Sequence, residues 1–278
     1  MAVTPRGLRL VVLLALVWGS SYPLIKITAF YASPVIISLS RVIVSSIFFL
    51  AITRGKMQRG KNELIVGILN VALFMLLLNF GTALSSNPGL ASVMIYTQPI
   101  FVIVLEKLLG TRLNKMAVIG VLIGFLGVLV SISSSNFGIG EIIALVGGLT
   151  WAGGTVFFSR KIPDSDVIKL NAFMSLISIP ILIPFTPVDF YFKVSPFSFL
   201  MLISLAILAQ VVGYTIWFNM VKEMGSVVAS SSSLLVPVTS YFMTFIILRD
   251  LPTSLEIVGS AITLFGVYLS LSKGKDTF

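Results

Sequence analysis

Neither cysteine nor histidine occurs in the chain. Without them there is no disulfide, no thiolate, no imidazole base and no zinc cluster of the usual kind, which removes most hydrolase and metal-centre chemistry. Acid is scarce too, with ten Asp and Glu against nineteen Lys and Arg. Charge of both signs makes up only 10% of the residues, against about 25% in soluble domains. In its place the chain is 57% hydrophobic, with a mean hydropathy of +1.07. A soluble core of this size could not bury so much apolar surface, and in a bilayer it need not.

A membrane span needs roughly 20 mostly apolar residues. Breaks at charge clusters and at Gly/Pro/Asn/Ser turns predict ten spans, at 8–28, 34–53, 64–84, 88–109, 116–134, 139–159, 168–185, 197–221, 225–248 and 254–272. The first run reads as an uncleaved helix rather than a signal peptide. Only SSNP at 85–88 separates the third span from the fourth, and the eighth meets the ninth near Lys222–Gly225. Merging either pair would leave eight or nine spans. Charge favours ten. With a cytoplasmic N-terminus, fifteen of the nineteen basic residues fall on the inner side, from Arg6 and Arg9 through Lys107, Arg112, Arg160 and Lys222 to Lys273 and Lys275. Lys26, Lys193 and Arg249 lie outside, and Arg41 lies within a helix. Such Lys/Arg bias sets orientation, so both termini are expected in the cytoplasm of a multi-pass cell-membrane protein. It also explains the +9 net charge without nucleic acid.

The chain repeats itself. NFGTALSSNPGLASVMIYTQP (79–99) aligns without a gap on WFNMVKEMGSVVASSSSLLVP (217–237), bringing Pro99 onto Pro237 at a shift of 138. Gly120 and Gly127 match Gly259 and Gly266 at a shift of 139, and Trp18 matches Trp151 at 133. The expected fold class is therefore an all-α membrane protein of ten transmembrane helices in two inverted five-helix repeats, at 1–134 and 135–278. An odd number of spans per half forces the second half to cross in the opposite sense. Inverted repeats of that kind hold substrate near the midplane between the halves.

On these features the sequence resembles the drug/metabolite transporter superfamily, and within it the ten-helix EamA-like members. The resemblance rests on WGSSYPLIK in the first span, Pro34 with LSRVIVSSIFFL in the second, the Pro99 and Pro237 spans, and the two glycine-rich closing spans. Lys26 and Arg41 fall on the family's recurring Lys and Arg. One departure is that the family often ends the fourth and ninth spans with Gly-Glu, where this chain has Gly110-Thr111-Arg112 and Arg249-Asp250. The resemblance implies export or exchange of metabolites such as amino acids, and fixes no substrate.

Polar and aromatic stripes mark the candidate site. Trp18, Tyr22 and Lys26 share one face of the first span, and Trp151, Thr155 and Ser159 one face of the sixth. Gln210, Tyr214 and Trp217 share a face of the eighth. Polar side chains are costly against lipid and turn toward the interior or a cavity. Aromatics with a few polar groups are what a small-molecule pocket is built from. Asn79, Gln98, Tyr214 and Trp217 are the leading substrate contacts, with Tyr22, Tyr96, Trp151 and Ser233 behind them. The same residues also suit interfacial belts and helix packing. Lys26 and Arg41 could contact an anion, lipid phosphate or helix-end carbonyls. Pro99 and Pro237 are hinge or site candidates, since a helix proline frees a carbonyl and bends the axis. No carboxylate is expected at the midplane, which disfavours a proton relay.

The expected activity is transport of a small organic metabolite, amino acid-like or aromatic and amphipathic, by an exporter, facilitator or exchanger using alternating access. A proton-coupled drug exporter is the main alternative. A channel lacks filter loops or charged rings, and an intramembrane enzyme lacks a paired nucleophile and base. Expected partners are the small-molecule substrate and the lipid bilayer, for a monomer or homodimer, with no cofactor, metal or nucleic acid.

Overall fold

The computed structural model describes residues 4–84, 94–130, 138–249 and 253–271. Three helices begin on a hydroxyl residue followed by proline, which satisfies one exposed N–H and removes another. In α1 (Pro5–Thr28) the Thr4 hydroxyl accepts from the Gly7 N–H at 3.0 Å. In α2 (Pro34–Thr53) Ser33 accepts from Ile36 at 3.5 Å. The helix that starts at Pro196 opens the same way, with Ser195 accepting from Ser198 at 3.0 Å.

Two long helices change pitch partway. Helix α3 runs as Lys61–Gly67, a π-helical stretch Ile68–Leu73, and Phe74–Leu84. Helix α8 runs as Pro196–Leu205, a π-helical stretch Ala206–Val212, and then into Gly213–Ser233. That last run breaks at Gly225, whose φ of 78° and ψ of 166° are open to glycine. Helix α8 ends there, and α9 comprises the residues after it together with Leu235–Leu248. The remaining helices are α4 (Gln98–Leu108), α5 (Lys115–Val130), α6 (Ile139–Lys161), α7 (Val167–Leu182) and α10 (Ser254–Leu271). Asp166 caps α7, accepting from Ile168 N and Lys169 N. The hydrogen bond from Lys169 holds this loop carboxyl below its ordinary pKa.

The junction expected near Lys222–Gly225 is thus a break at Gly225. The turn at 85–88, Ser92 and Asp250 lie outside the described residues, as do Lys273 and Lys275.

Among the described residues there is no strand. One isolated antiparallel bridge, Ala32 to Phe192, joins the α1–α2 loop to the α7–α8 loop. Six helices are long and apolar enough to cross a membrane: Pro5–Thr28, Pro34–Thr53, Lys61–Thr82, Ile139–Lys161, Val167–Phe185 and the composite Pro196–Ser233. Lys115–Val130, Leu235–Ile247 and Ile257–Leu271 are shorter apolar helices. The chain is a multi-pass membrane protein. Its exterior carries exposed Leu13, Ile47, Leu126 and Phe265, while Asn70, Gln98, Gln210 and Ser230 are buried. Lipid accepts the first set, and the second must find partners inside.

Helices α5 and α10 cross in backbone contact. A Cβ on Gly127 would come within 2.5 Å of the Thr263 nitrogen and 2.6 Å of the Gly259 carbonyl oxygen. The Thr263 hydroxyl donates to the Gly124 carbonyl across the crossing at 3.2 Å. Small residues allow this approach where no hydrophobic effect drives helices together. The glycine-rich closing spans therefore pack on each other.

Candidate functional site

A cavity of about 70 Å³ sits among α1, α2, α3, α6, α8 and the segment ahead of α4. Its walls come from the C-terminal half of α1 (Ser21, Tyr22, Ile25), Arg41 on α2, Leu78, Asn79 and Thr82 on α3, and Ile95 and Tyr96 ahead of α4. These are the helix ends on the side of the α1–α2 loop, so the mouth opens there.

The floor is aromatic. Trp18 and Trp151, each near mid-helix, meet edge to face at 5.6 Å between ring centroids. Phe74 stacks on Trp151 at 5.1 Å, and Tyr214 meets Trp18 at 5.9 Å. Trp217 lies beneath, fully buried, 4.9 Å from Trp151 and 5.6 Å from Trp18. The π-helical stretches position this floor. The Trp18 Nε1–H donates to the Ala209 carbonyl inside one stretch, at 3.1 Å. The Tyr214 hydroxyl donates to the Asn70 carbonyl inside the other, at 2.7 Å. A wide turn misaligns the i−4 ladder and leaves carbonyls for side chains, which is why such turns recur at functional sites. Gly213 leaves room for the Trp18 indole, whose Cδ1 would lie 2.7 Å from a Cβ there.

Among the candidates from the sequence, Asn79, Tyr22, Tyr96, Trp151, Tyr214 and Arg41 line this one cavity. Asn79 Nδ2 donates to Ser38, and the Tyr22 hydroxyl donates to the Tyr96 hydroxyl at 3.1 Å. Arg41 is 4% exposed, and its Nη2 donates to Gln210 Oε1 at 3.5 Å. Three candidates lie deeper than the floor. They are Trp217, Gln98, which donates to the Ser230 hydroxyl at 3.0 Å, and Ser233, which donates to the Ser230 carbonyl at 2.7 Å. Lys26 is exposed in the last turn of α1, outside the lining. Pro99 and Pro237 are buried just after matching interruptions, at Tyr96–Thr97 and at Leu234, each in the first turn of the helix that resumes. Phe74, Leu78, Thr82 and Ile95 were not singled out by the sequence. Phe74, Leu78 and Thr82 recur every four residues on one face of α3, and Ile95 lies beside Tyr96, a spacing that could have found them.

Beyond the floor, at the opposite end of the bundle, a second and more open hollow of about 400 Å³ is lined by Glu106, Thr111, Ser159, Arg160, Gly225 and Ser226. Arg160 at the end of α6 reaches Glu106 at the end of α4, with Nη2 at 2.7 Å and Nε at 3.1 Å from one carboxylate oxygen. The Ser226 hydroxyl, one residue past the Gly225 break, donates to the other oxygen. Thr111 donates to the same carboxylate at 2.6 Å. Nearby, Arg6 pairs with Glu223 at 3.3 Å, and the Lys222 ammonium donates to the Ser165 carbonyl at 2.6 Å. Among the described residues no group of His, Cys, Asp or Glu could hold a metal ion.

The sequence profile of the EamA-like transporter family matches residues 5–133 and again 138–272. A transporter of Archaeoglobus fulgidus is 30% identical over 264 residues, covering 92% of this chain and 95% of that one. A protein of Escherichia coli (strain K12) named a probable amino-acid metabolite efflux pump is 27% identical over 286 residues, covering 94% and 93%. One solved crystal structure matches with a TM-score of 0.77 at 16% identity, over 95% of this chain and 96% of that one, a likeness of fold alone. With a family match spanning both halves and relatives aligned nearly end to end, this chain belongs to the EamA-like transporter family.

Proposed function

We propose that the protein carries a small organic metabolite across the membrane by alternating access, as an exporter, facilitator or exchanger. The observation that carries this reading is a cavity that ends on an aromatic floor, with a separate hollow at the opposite end of the bundle. The cavity reaches mid-height on α1 and α6 and stops on the tryptophan floor, with the Glu106–Arg160 pair beyond it. A channel needs a continuous path, whereas a carrier exposes its site to one side at a time. The Lys/Arg distribution supports cytoplasmic termini, which put the mouth on the outer face.

The same reading takes 1–134 and 135–278 as two inverted five-helix halves. Its support is positional. The π-helical stretches begin at Ile68 and Ala206, 138 residues apart, and the interruptions at Tyr96 and Leu234 share that spacing. The aromatic floor suits a partly apolar solute, in keeping with the printed name of the Escherichia coli relative. The lining holds no carboxylate, so exchange or facilitated transport fits better than a built-in proton relay.

The test is counterflow in vesicles of purified protein, with labelled solute outside and excess unlabelled solute inside. Uptake driven by the solute gradient, lost in Trp151→Ala, is the expected result. An imposed pH gradient alone should drive little accumulation. Robust uphill transport powered by protons alone would overturn the exchange reading.

A further inference from the structure

We infer that the cavity selects organic monocarboxylates, with Arg41 as the residue that binds the carboxylate. The inference rests on the reading of this cavity as the substrate site and adds the charge its occupant must carry.

Arg41 sits within a membrane helix, 4% exposed, and lines the cavity. Its Nε has no hydrogen-bond partner. Its one side-chain partner, Gln210 Oε1, is at 3.5 Å, the outer limit of a hydrogen bond, and the Gln210 Nε2 is itself unpartnered. Among the described residues no carboxylate pairs with Arg41. The other polar groups of the lining are neutral: Ser21, Tyr22, Asn79, Thr82, Tyr96 and Tyr214.

A guanidinium is always charged, and removed from water without a counter-charge it is among the most expensive groups a protein can hold. A structural arginine in this position would be expected to have its fork filled by carbonyls or a carboxylate. Here one weak bond to a glutamine leaves it short of acceptors. A substrate carboxylate supplies two oxygens in the planar, bidentate geometry the fork matches. One cation neutralises one negative charge, so a monoanion fits and a polyanion does not. The rest of the lining, with Trp18, Phe74, Ile95 and Trp151, gives a flat apolar body somewhere to lie. An organic cation would meet Arg41 with no lining acid to offset the repulsion.

The test uses the chain's own tryptophans. Trp18 and Trp151 form the cavity floor and Trp217, the third and last tryptophan, packs against both from beneath, so intrinsic fluorescence of the purified protein reports on this site. Phenylacetate, 2-phenylethanol and 2-phenylethylamine share a skeleton and differ in charge. At neutral pH, phenylacetate should bind about tenfold or more tighter than the alcohol, and the amine most weakly. Arg41→Gln should remove that preference and leave the alcohol within about twofold of wild type. Arg41→Lys should restore part of it, since a point charge attracts the anion without the fork. If Arg41→Gln does not fold, the wild-type charge series and Arg41→Lys still decide the matter. Equal binding of the three probes to wild type, or an anion preference that survives Arg41→Gln, overturns the inference while leaving the cavity as a binding site. Silence from all three probes, together with no counterflow of any solute, overturns both.

Discussion

The two ends of the helical bundle are held together by different physics. At the end beyond the floor, α4, α6 and the Gly225 junction converge on the buried Glu106 carboxylate, and two further charged contacts, Arg6–Glu223 and Lys222 to Ser165, lie beside it. At the mouth, the cavity walls are tied by hydrogen bonds to neutral partners, from Tyr22 to Tyr96, from Asn79 to Ser38 and from Arg41 to Gln210. Charge-assisted contacts are strong and directional, and the Glu106 carboxylate that receives most of them is buried, so separating that end breaks several bonds together. A phenol pair over an apolar wall can part at little cost. On the proposed alternating-access reading the charged end is therefore the costlier one to open, and the aromatic floor lies between the two.

The largest expected effect tests whether the α5–α10 crossing is a passive brace away from both ends. Gly127→Leu pushes a side chain into backbone atoms 2.5 and 2.6 Å from its first carbon, and backbone cannot yield as a side-chain tip does. We expect a loss above about 3 kcal/mol, seen as collapse of monodisperse yield in detergent. A well-folded variant with altered substrate preference would break the division into brace and ends.

Next in size is Arg160→Ala, which leaves Glu106 buried with hydroxyl partners only. Breaking a fully buried pair costs about 3–5 kcal/mol. The Arg160 side chain is 34% exposed, so about 1–3 kcal/mol is expected. Transport should fall about tenfold, and the inner cleft should become more accessible to water-soluble labels attached at an introduced Ser159→Cys. Glu106→Gln combined with Arg160→Gln should recover part of the loss. Equal loss in the single and double variants would mean the pair is not the latch.

Tyr214→Phe should cost about 1 kcal/mol in thermal stability, because it leaves the Asn70 carbonyl short of its donor. Tyr22→Phe is the smallest: the hydroxyl is partly exposed and bonded to another neutral hydroxyl, so less than about 0.5 kcal/mol should change. A greater loss of stability from Tyr22→Phe than from Arg160→Ala would invert the ranking of the two ends.

The helix ends were readable because their signals are local. Thr4-Pro5, Ser33-Pro34 and Ser195-Pro196 each announce a start, and the expected ends at Thr28, Thr53 and Leu84 coincide with those of α1, α2 and α3. Six of the candidate residues share the cavity because aromatic and amide groups within spans have few places to go. The fates of Trp217, Gln98 and Ser233 were hidden, since one residue turns a helix by about 100° and a face deduced from spacing is easily misjudged. The Glu106–Arg160 pair was also illegible. Nothing local joins Glu106 to a residue 54 positions away.

The wide turns at Ile68–Leu73 and Ala206–Val212 have a consequence for sequence change. Geometrically, a π turn is an α-helix holding one residue too many, so the helix beyond it is out of phase with the helix before it. Deleting a single residue from Ala206–Val212 would restore an ordinary α-helix and leave Tyr214 and Trp217 facing as before, because the wide turn holds the surplus residue. A second deletion has no surplus to draw on and would rotate everything downstream by about 100°, while span length and hydropathy stayed almost the same. The wide turns are thus buffers against a change of compass bearing, and relatives that differ there by one residue should present the same wall to the cavity.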